Sequence, residues 1–348
     1  MTPVLKVGQR PRMSEAEVEL FAHQFFSAAT EFVGESPGAF TIALGEKSVQ
    51  VQLNESDTLS SHIRNAFISG NTNAADFTLE IWRTSPRSPL PNLGWAREYL
   101  AHDNLVPTSL TNPYRVAFDK SQGFIYLYDR ENKRGAIWIA EDANISLNSF
   151  VTPFRIIFSW MAESFGGEVI HASAISKNGK GLIINGPSGS GKSTLALLCA
   201  LDDFDFIADD VVLYHDSLIW AIYRYAKVDP NSSPCDLSRY RVFQMEKTKD
   251  AKNILDLNQL GDKFVACAKV DALILPIFAH LNHHAPISPA IAIKLLAPNS
   301  LRELMGGTPY NFKNLVDLTR HIPSYRIALS TDNIKNVSAV NSILAELS

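Results

Sequence analysis

The run 186–194 has the residue types that bind a polyphosphate. Its sequence Gly-Pro-Ser-Gly-Ser-Gly-Lys-Ser-Thr begins with an ungapped match to G-x-x-x-x-G-K-[ST]. A polyphosphate has to be wrapped by backbone N–H donors, and glycine lets the backbone come close because it has no Cβ. A helix that starts at the end of the loop adds N–H groups and a dipole that favour anions. The pattern therefore predicts an ATP site.

Single residues of this loop have distinct predicted roles. Lys192 supplies a positive charge to the β- and γ-phosphates, and the hydroxyl of Ser193 helps to hold Mg²⁺. The flanking sequence fits these roles, since the apolar run 181–185 suits a buried strand and 193–200 suits the start of a helix. We expect ATP and Mg²⁺ as cofactors. The predicted nucleotide-binding residues are Gly186, Ser188, Gly189, Ser190, Gly191, Lys192, Ser193 and Thr194.

Two adjacent aspartates, Asp209 and Asp210, interrupt an apolar run that is predicted as a strand over 206–214. Burying two adjacent charges is unfavourable unless a cation or a proton compensates, and a Mg²⁺–ATP site offers that compensation. One carboxylate then holds the metal while the other takes a proton from an acceptor hydroxyl. His171, in the preceding predicted strand 169–175, either tunes a carboxylate or is a histidine of the core.

The first part of the chain has the pattern of a small α+β domain, predicted over 1–147. Ser14 and Glu17 form a capping box at the start of a helix that Gly34 ends. A Pro-rich loop at 85–91 interrupts the strands that follow. The predicted strands are 40–44, 49–53, 77–82, 115–118, 124–128 and 136–139, and the last three are predicted to form an antiparallel meander.

The second part, predicted as a domain over 148–348, alternates helices with short buried strands. A buried helix over 153–165 is stopped by Gly166 and Gly167, and the site helix starts near Lys192. From residue 270 onward, strands again alternate with helices. The order of elements predicts an α/β fold that carries the phosphate loop.

Composition limits the classes of function. The chain has 348 residues, 46% of them hydrophobic, and a net charge of −4. This charge argues against a nucleic-acid binder. Residues 1–11 lack an apolar signal core and no uninterrupted apolar run reaches about 18 residues, so we expect no membrane association and a cytoplasmic location.

These residues resemble motifs of the HPr kinase/phosphorylase superfamily. The likeness is closer to stand-alone HPr-kinase-like serine kinases, which are often associated with peptide-tailoring systems, and covers roughly 135–345. The motifs that carry it are His171-Ala172-Ser173-Ala174, the loop 186–194, Ala208-Asp209-Asp210-Val211-Val212, and the stretches 223–228 and 323–326.

The resemblance implies a catalytic domain related to ATP-type phosphoenolpyruvate carboxykinase. It also implies Asp209 as the general base, Asp210 with Ser193 at the Mg²⁺, and His171 beside the base. Lys227 and Arg326 become candidates for a phosphate or acceptor contact. The longer signature E-[IV]-R-G-[LIV]-G does not follow Asp210, so the resemblance does not extend to phosphorylase activity, to HPr as a partner or to a hexamer.

Three functions remain open at this point. The first is a kinase that transfers the γ-phosphoryl group of ATP to a serine hydroxyl of a peptide or protein, with Asp209, His171 and Lys192 as catalytic residues. The second is a kinase for a small metabolite such as free serine, and the third is a non-catalytic nucleotide sensor. The sequence leaves open the identity of the acceptor and the role of residues 1–147. It also leaves open the oligomeric state, and a homo-oligomer is one possibility.

Overall fold

The computed structural model describes residues 14–34, 37–54, 58–71, 74–83, 104–106, 111–119, 121–141, 143, 145–229, 242–244, 252–278, 283–303 and 309–347. These residues form two compact units, the first within 1–40, 50–60 and 76–145, the second within 41–49, 61–75 and 146–348. The predicted domains, 1–147 and 148–348, differ from these units chiefly because the segments 41–49 and 61–75 belong to the second unit. That the two domains have separate functions stays a prediction. The predicted Pro-rich loop at 85–91 lies outside the described residues.

The elements of the N-terminal part begin with a long helix. In chain order they are α1 (Glu15–Gly34), β1 (Pro37–Leu44), β2 (Lys47–Asn54), α2 (Thr58–Ala66), β3 (Phe77–Arg83), β4 (Asn104–Leu105), β5 (Tyr114–Asp119), β6 (Phe124–Asp129) and β7 (Arg134–Ile139).

The predicted capping box starts α1. The hydroxyl of Ser14 donates to Oε2 of Glu17 at 2.7 Å, and the Glu17 N–H donates to that hydroxyl at 3.3 Å. The helix then buries Phe21 and Phe25 against the core of the first unit, which includes Phe118. The structure therefore agrees with the prediction of a capped helix that buries its aromatic residues.

The sheet of the first unit has the strand order β3-β7-β6-β5-β4. The pairs β5–β6 and β6–β7 are antiparallel, as the meander predicted. The pair β4–β5 is also antiparallel, and its short strand β4 was not predicted. The pair β3–β7 is parallel, so the prediction of an antiparallel sheet is wrong at this pair. A tight hairpin reverses the direction of the chain from one strand to the next. The long stretch of chain between β3 and β7 allows these two strands to run in the same direction.

The second unit has more and shorter strands. Its remaining elements are α3 (Leu147–Val151), α4 (Arg155–Ser164), β8 (Glu168–Ile170), β9 (Ser173–Lys177), β10 (Lys180–Ile184), α5 (Lys192–Asp202), β11 (Asp205–Ala208), β12 (Val212–His215), β13 (Leu218–Ala221), β14 (Tyr225–Val228), β15 (Val242–Gln244), β16 (Asn253–Asp256), a 3₁₀ helix (Leu257–Lys263), β17 (Cys267–Phe278), β18 (His284–Ile287), α6 (Pro289–Glu303), α7 (Pro309–His321), β19 (Ser324–Leu329) and α8 (Asn333–Glu346).

The main sheet of this unit has the order β11-β9-β10-β17-β13-β12-β8, and β19 pairs with β17. Helices pack on both faces, which gives a mixed α/β architecture. On one face Leu195 of α5 and Val340 of α8 lie in one apolar cluster with Ile184 of β10. On the other face Leu296 of α6 and Leu315 of α7 join a second cluster. The predicted α/β architecture of this part is confirmed.

Two predicted strands are broken in the structure. The predicted strand 169–175 is divided at His171 and Ala172 into β8 and β9, which pair with different neighbours. The predicted strand 206–214 is divided at 209–211 into β11 and β12. Polar residues stand at both breaks, His171 at the first and Asp209 with Asp210 at the second, but the sequence did not show that a strand ends at either place. Within the described residues, no helix is both long enough and apolar enough to span a bilayer.

Candidate active site

The phosphate loop connects β10 to α5. Gly189 and Gly191 have φ angles of 79° and 90°, a conformation that favours glycine. A Cβ on Gly186 would lie 2.7 Å from Oγ of Ser190, and a Cβ on Gly191 would lie 2.9 Å from Cδ1 of Leu329. The loop therefore needs glycine for its backbone angles and for its close packing. The predicted loop leads directly into a helix that starts at Lys192.

The side chain of Lys192 folds back into the curve of this loop. Its Nζ donates to the carbonyl oxygen of Gly186 at 2.7 Å and to that of Pro187 at 3.2 Å. The side chain is buried, so these carbonyl groups replace the water that an ammonium group would otherwise bind. Ser193 and Thr194 follow on the first turn of α5 and are partly exposed, while Ser188 and Gly189 are exposed.

The aspartate pair occupies a tight turn between β11 and β12. Asp210 has a positive φ of 67°, and the N–H of Val211 donates to the carbonyl oxygen of Asp209 at 2.8 Å. This turn ends β11 and gives the two adjacent carboxyl groups different partners. Both are buried, so each needs hydrogen bonds or a counter-charge inside the protein.

Asp209 is held by neutral donors. The hydroxyl of Ser173 donates to its Oδ1 at 2.7 Å, and the backbone N–H of Lys227 donates to its Oδ2 at 3.0 Å. One donor comes from the first residue of β9 and the other from β14. Each oxygen of the carboxyl group is thus fixed by one hydrogen bond and keeps a lone pair for another.

Asp210 is held by a lysine, a histidine and a hydroxyl group. Nζ of Lys227 lies 2.9 Å from its Oδ1, and Nδ1 of His171 lies 3.5 Å from the same oxygen. The hydroxyl of Thr152 donates to Oδ2 at 3.5 Å. Burial raises the pKa of Asp210, but the charges of Lys227 and His171 more than offset burial and hold this pKa well below its usual range.

The sheet brings the loop and the aspartates to the same edge. Both β10 and β11 pair with β9 in antiparallel fashion, so both end beside the start of β9. With neighbouring strands about 4.8 Å apart, the two strand ends are roughly 10 Å from each other. Nδ2 of Asn185, the residue before Gly186, donates to the carbonyl oxygen of His171 at 2.7 Å. One side chain thus connects the loop to the group around Asp210.

The predicted site residues divide into two groups. Asp209, Asp210, His171 and Lys227 lie in one contact network, and Lys192 to Thr194 begin the helix after the adjoining loop. Arg326 lies within β19 between Tyr325 and Ile327, which pack in the apolar cluster that includes α5. Because strand side chains alternate between faces, Arg326 is on the opposite face of the sheet from that helix. Its predicted role stays a prediction.

Three residues of the network were not among the predicted site residues: Ser173, Thr152 and Asn185. Ser173 was part of a recognised motif, and its position just after His171 was the available signal. Thr152 and Asn185 are single polar residues beside apolar runs. Neither has a spacing that indicates a contact with a residue far away in the sequence.

The oxygen donors of the site suit Mg²⁺. The hydroxyl of Ser193 and the carboxylate of Asp210 are hard oxygen ligands, and the low pKa keeps Asp210 ionised at neutral pH. Mg²⁺ is commonly bound by one or two protein oxygens together with phosphate oxygens, and these residues fit that role. Among the residues that the structure describes, no group of three or more His, Cys, Asp or Glu side chains is arranged to hold a metal ion by itself.

Comparison with known proteins gives a distant similarity to solved structures. No protein-family model matches the sequence, and no curated protein matches it. Among solved structures, the chain is similar to the HPr(Ser) kinase/phosphatase from Coxiella burnetii, with 12% sequence identity and a TM-score of 0.29. The match covers 52% of this chain and 92% of that chain. A TM-score of this size does not establish a shared fold.

Proposed function

We propose that this chain is an ATP-dependent kinase that transfers the γ-phosphoryl group to a serine hydroxyl of a peptide or protein. One observation carries the proposal: a buried aspartate pair lies at the same sheet edge as the loop 186–191, and its two members have different electrostatic surroundings. Asp210 is paired with the ammonium group of Lys227 and lies beside His171, whereas Asp209 is hydrogen-bonded by neutral groups. Phosphoryl transfer to a hydroxyl requires two such functions, charge compensation and proton acceptance.

Asp209 is the proposed general base. Ser173 and the Lys227 N–H orient its carboxyl group, so a free lone pair is held in a fixed direction. As the serine oxygen attacks, its proton passes to Asp209 and a bond forms between that oxygen and the γ-phosphorus. The bond from the γ-phosphorus to its bridging oxygen breaks, and ADP leaves with the electron pair.

The other residues manage charge in this proposal. Lys192 and the loop amides bind the phosphates and stabilise the charge that develops during transfer. Asp210 and Ser193 would hold Mg²⁺, which neutralises phosphate charge when bound. Lys227 keeps Asp210 ionised and, through its backbone N–H, orients Asp209. His171 lies beside Asp210 and adds to that electrostatic control.

Replacement of Asp209 tests the proposal. Asp209→Asn keeps the size of the side chain and removes the base, so ATP should still bind while phosphoryl transfer falls by roughly 10²–10⁴-fold. Transfer is measured with γ-labelled ATP and a serine-containing peptide library, and the product is mapped by mass spectrometry. Asp205→Asn is a matched control, because Asp205 lies at the other end of β11 and accepts a hydrogen bond from Ser176.

The results separate the three functions. Undiminished transfer by Asp209→Asn would remove Asp209 from the mechanism. Phosphorylation of free serine, with none of the peptides, would support the small-metabolite kinase. Binding of ATP without transfer to any acceptor in an extract that contains the native partners would support the nucleotide sensor.

A further inference from the structure

Two strands of the main sheet extend beyond the start of the phosphate loop. β10, β17 and β19 run parallel, and the last residue of β10, Ile184, pairs with Ile274. β17 continues to Phe278, whose partner in the register is Leu329, the last residue of β19. Ligands of parallel sheets bind beyond the carboxyl ends of the strands. The ends of β17 and β19 thus lie on the side of the sheet edge where the loop binds its ligand.

The side chains at these two strand ends form an apolar wall beside the loop. A Cβ on Gly191 would come within 2.9 Å of Cδ1 of Leu329 and within 3.5 Å of Cζ of Phe278. Leu329 is buried, but Phe278 is 67% exposed. An exposed aromatic ring next to a ligand-binding loop offers a flat apolar face to whatever the loop binds.

We infer that Phe278 is the stacking platform for the nucleobase of the bound nucleotide, an inference that rests on the proposed function. ATP has one end that needs amide donors and cations, and another that needs an apolar face. The loop with Lys192 supplies the first, and Phe278 supplies the second at the adjacent strand end. Every base has a π-face, so stacking alone does not select adenine over guanine. The subsite accepts nucleoside triphosphates as a class.

The inference is tested by comparing ligands with and without a base. Dissociation constants for ATP, GTP and inorganic tripolyphosphate, each with Mg²⁺, are measured by titration calorimetry. Phe278→Ala should weaken ATP and GTP binding about tenfold or more and leave tripolyphosphate binding unchanged, since it removes one base–aromatic stack. Phe278→Trp should restore ATP affinity. Phe312→Ala is the matched control, because Phe312 is a 47% exposed ring on α7, across the sheet from the helix of the loop.

Three results would overturn the inference. If Phe278→Ala weakened ATP and tripolyphosphate equally, the ring would support the shape of the loop and not the base. If it weakened neither ligand while Lys192→Ala weakened both, the base would bind elsewhere and the proposed nucleotide site would stand. If the unmodified chain bound neither ligand, the proposed function would fail together with the subsite.

Discussion

Two buried acidic residues of the main sheet differ in what surrounds them. Asp210, 6% exposed, lies 2.9 Å from the ammonium of Lys227 and 3.5 Å from the ring of His171. Glu168, 1% exposed, has only neutral partners among the described hydrogen bonds to its carboxyl group: Nδ2 of Asn311 at 3.0 and 2.9 Å, and Nδ2 of Asn314 at 3.2 Å. Both residues are removed from water, so the comparison isolates the effect of the partner.

The partners give the two groups opposite charge states. Burial raises the pKa of Glu168 to about 8, although hydrogen bonds from Asn311 and Asn314 act to lower it. Burial also acts to raise the pKa of Asp210, but Lys227 and His171 hold that pKa well below its usual range. At neutral pH the side chain of Glu168 is mainly a carboxylic acid, and that of Asp210 is a carboxylate. Amide donors do not compensate for lost hydration as a nearby cation does.

The largest effect is expected when the cation is removed from Asp210. Lys227→Met keeps the length of the side chain and leaves a buried carboxylate without its main counter-charge. We expect the free energy of unfolding to fall by about 3–5 kcal/mol. Phosphoryl transfer should fall roughly a hundredfold or more, because a fixed charge at the site is lost. Urea denaturation and single-turnover transfer measure the two effects.

Lys335→Met is the control for this substitution. Lys335 and Asp332 form an exposed ion pair three residues apart, so its loss should change neither stability nor transfer appreciably. The comparison between Asp210 and Glu168 would break if Lys227→Met left stability and the pH dependence of unfolding unchanged. Asp210 would then not depend on the cation for its ionised state.

Glu168→Gln tests the other side of the comparison. The pKa of Glu168 is raised in the folded chain, so the folded state holds the proton more tightly than the unfolded state. Stability from this group is therefore present below the unfolded pKa of 4.5 and is lost as the pH rises towards about 8. The substitution should remove a decline of on the order of 3 kcal/mol between pH 5 and pH 7.

This prediction is measured as the difference between the pH profiles of the unmodified chain and of Glu168→Gln, because histidines titrate in the same range. Glu131→Gln, in an exposed turn, is the control and should leave the profile unchanged. Parallel profiles for the unmodified chain and Glu168→Gln would show that Glu168 is ionised in the folded state, and the contrast with Asp210 would disappear.

The sequence predicted the parts of the site that are contiguous. The loop was recognisable because its glycines, lysine and serine follow one another, and Asp209 and Asp210 because two charges interrupt an apolar run. Lys227 was only a candidate. Its contacts with Asp209 and Asp210 form because β14 lies beside the end of β11, and no local sequence pattern predicts that the two strands are neighbours there. The same reason explains why Ser173, Thr152 and Asn185 were missed.

Predictions of the fold failed where hydrophobicity does not specify geometry. The capping box and aromatic spacing of α1 are local features, and they predicted the helix correctly. The two aspartates interrupt the apolar run, but the sequence does not show that the chain turns at Asp210, whose φ is positive, and that β11 ends there. Likewise, alternating apolar residues indicate a strand but not its neighbour, so the parallel pairing of β3 with β7 could not be read from the pattern.

The smallest predicted effect concerns the neutral partners of the aspartate pair. Ser173→Ala removes a 2.7 Å hydrogen bond to Asp209, and Thr152→Val removes a 3.5 Å hydrogen bond to Asp210. We expect Ser173→Ala to lower stability by about 1 kcal/mol and transfer by roughly tenfold, with ATP affinity unchanged, and Thr152→Val to have a smaller effect on both. If Thr152→Val were as harmful as Lys227→Met, a hydroxyl group would contribute as much as the cation to the state of Asp210. Charge would then no longer be what distinguishes Asp210 from Glu168.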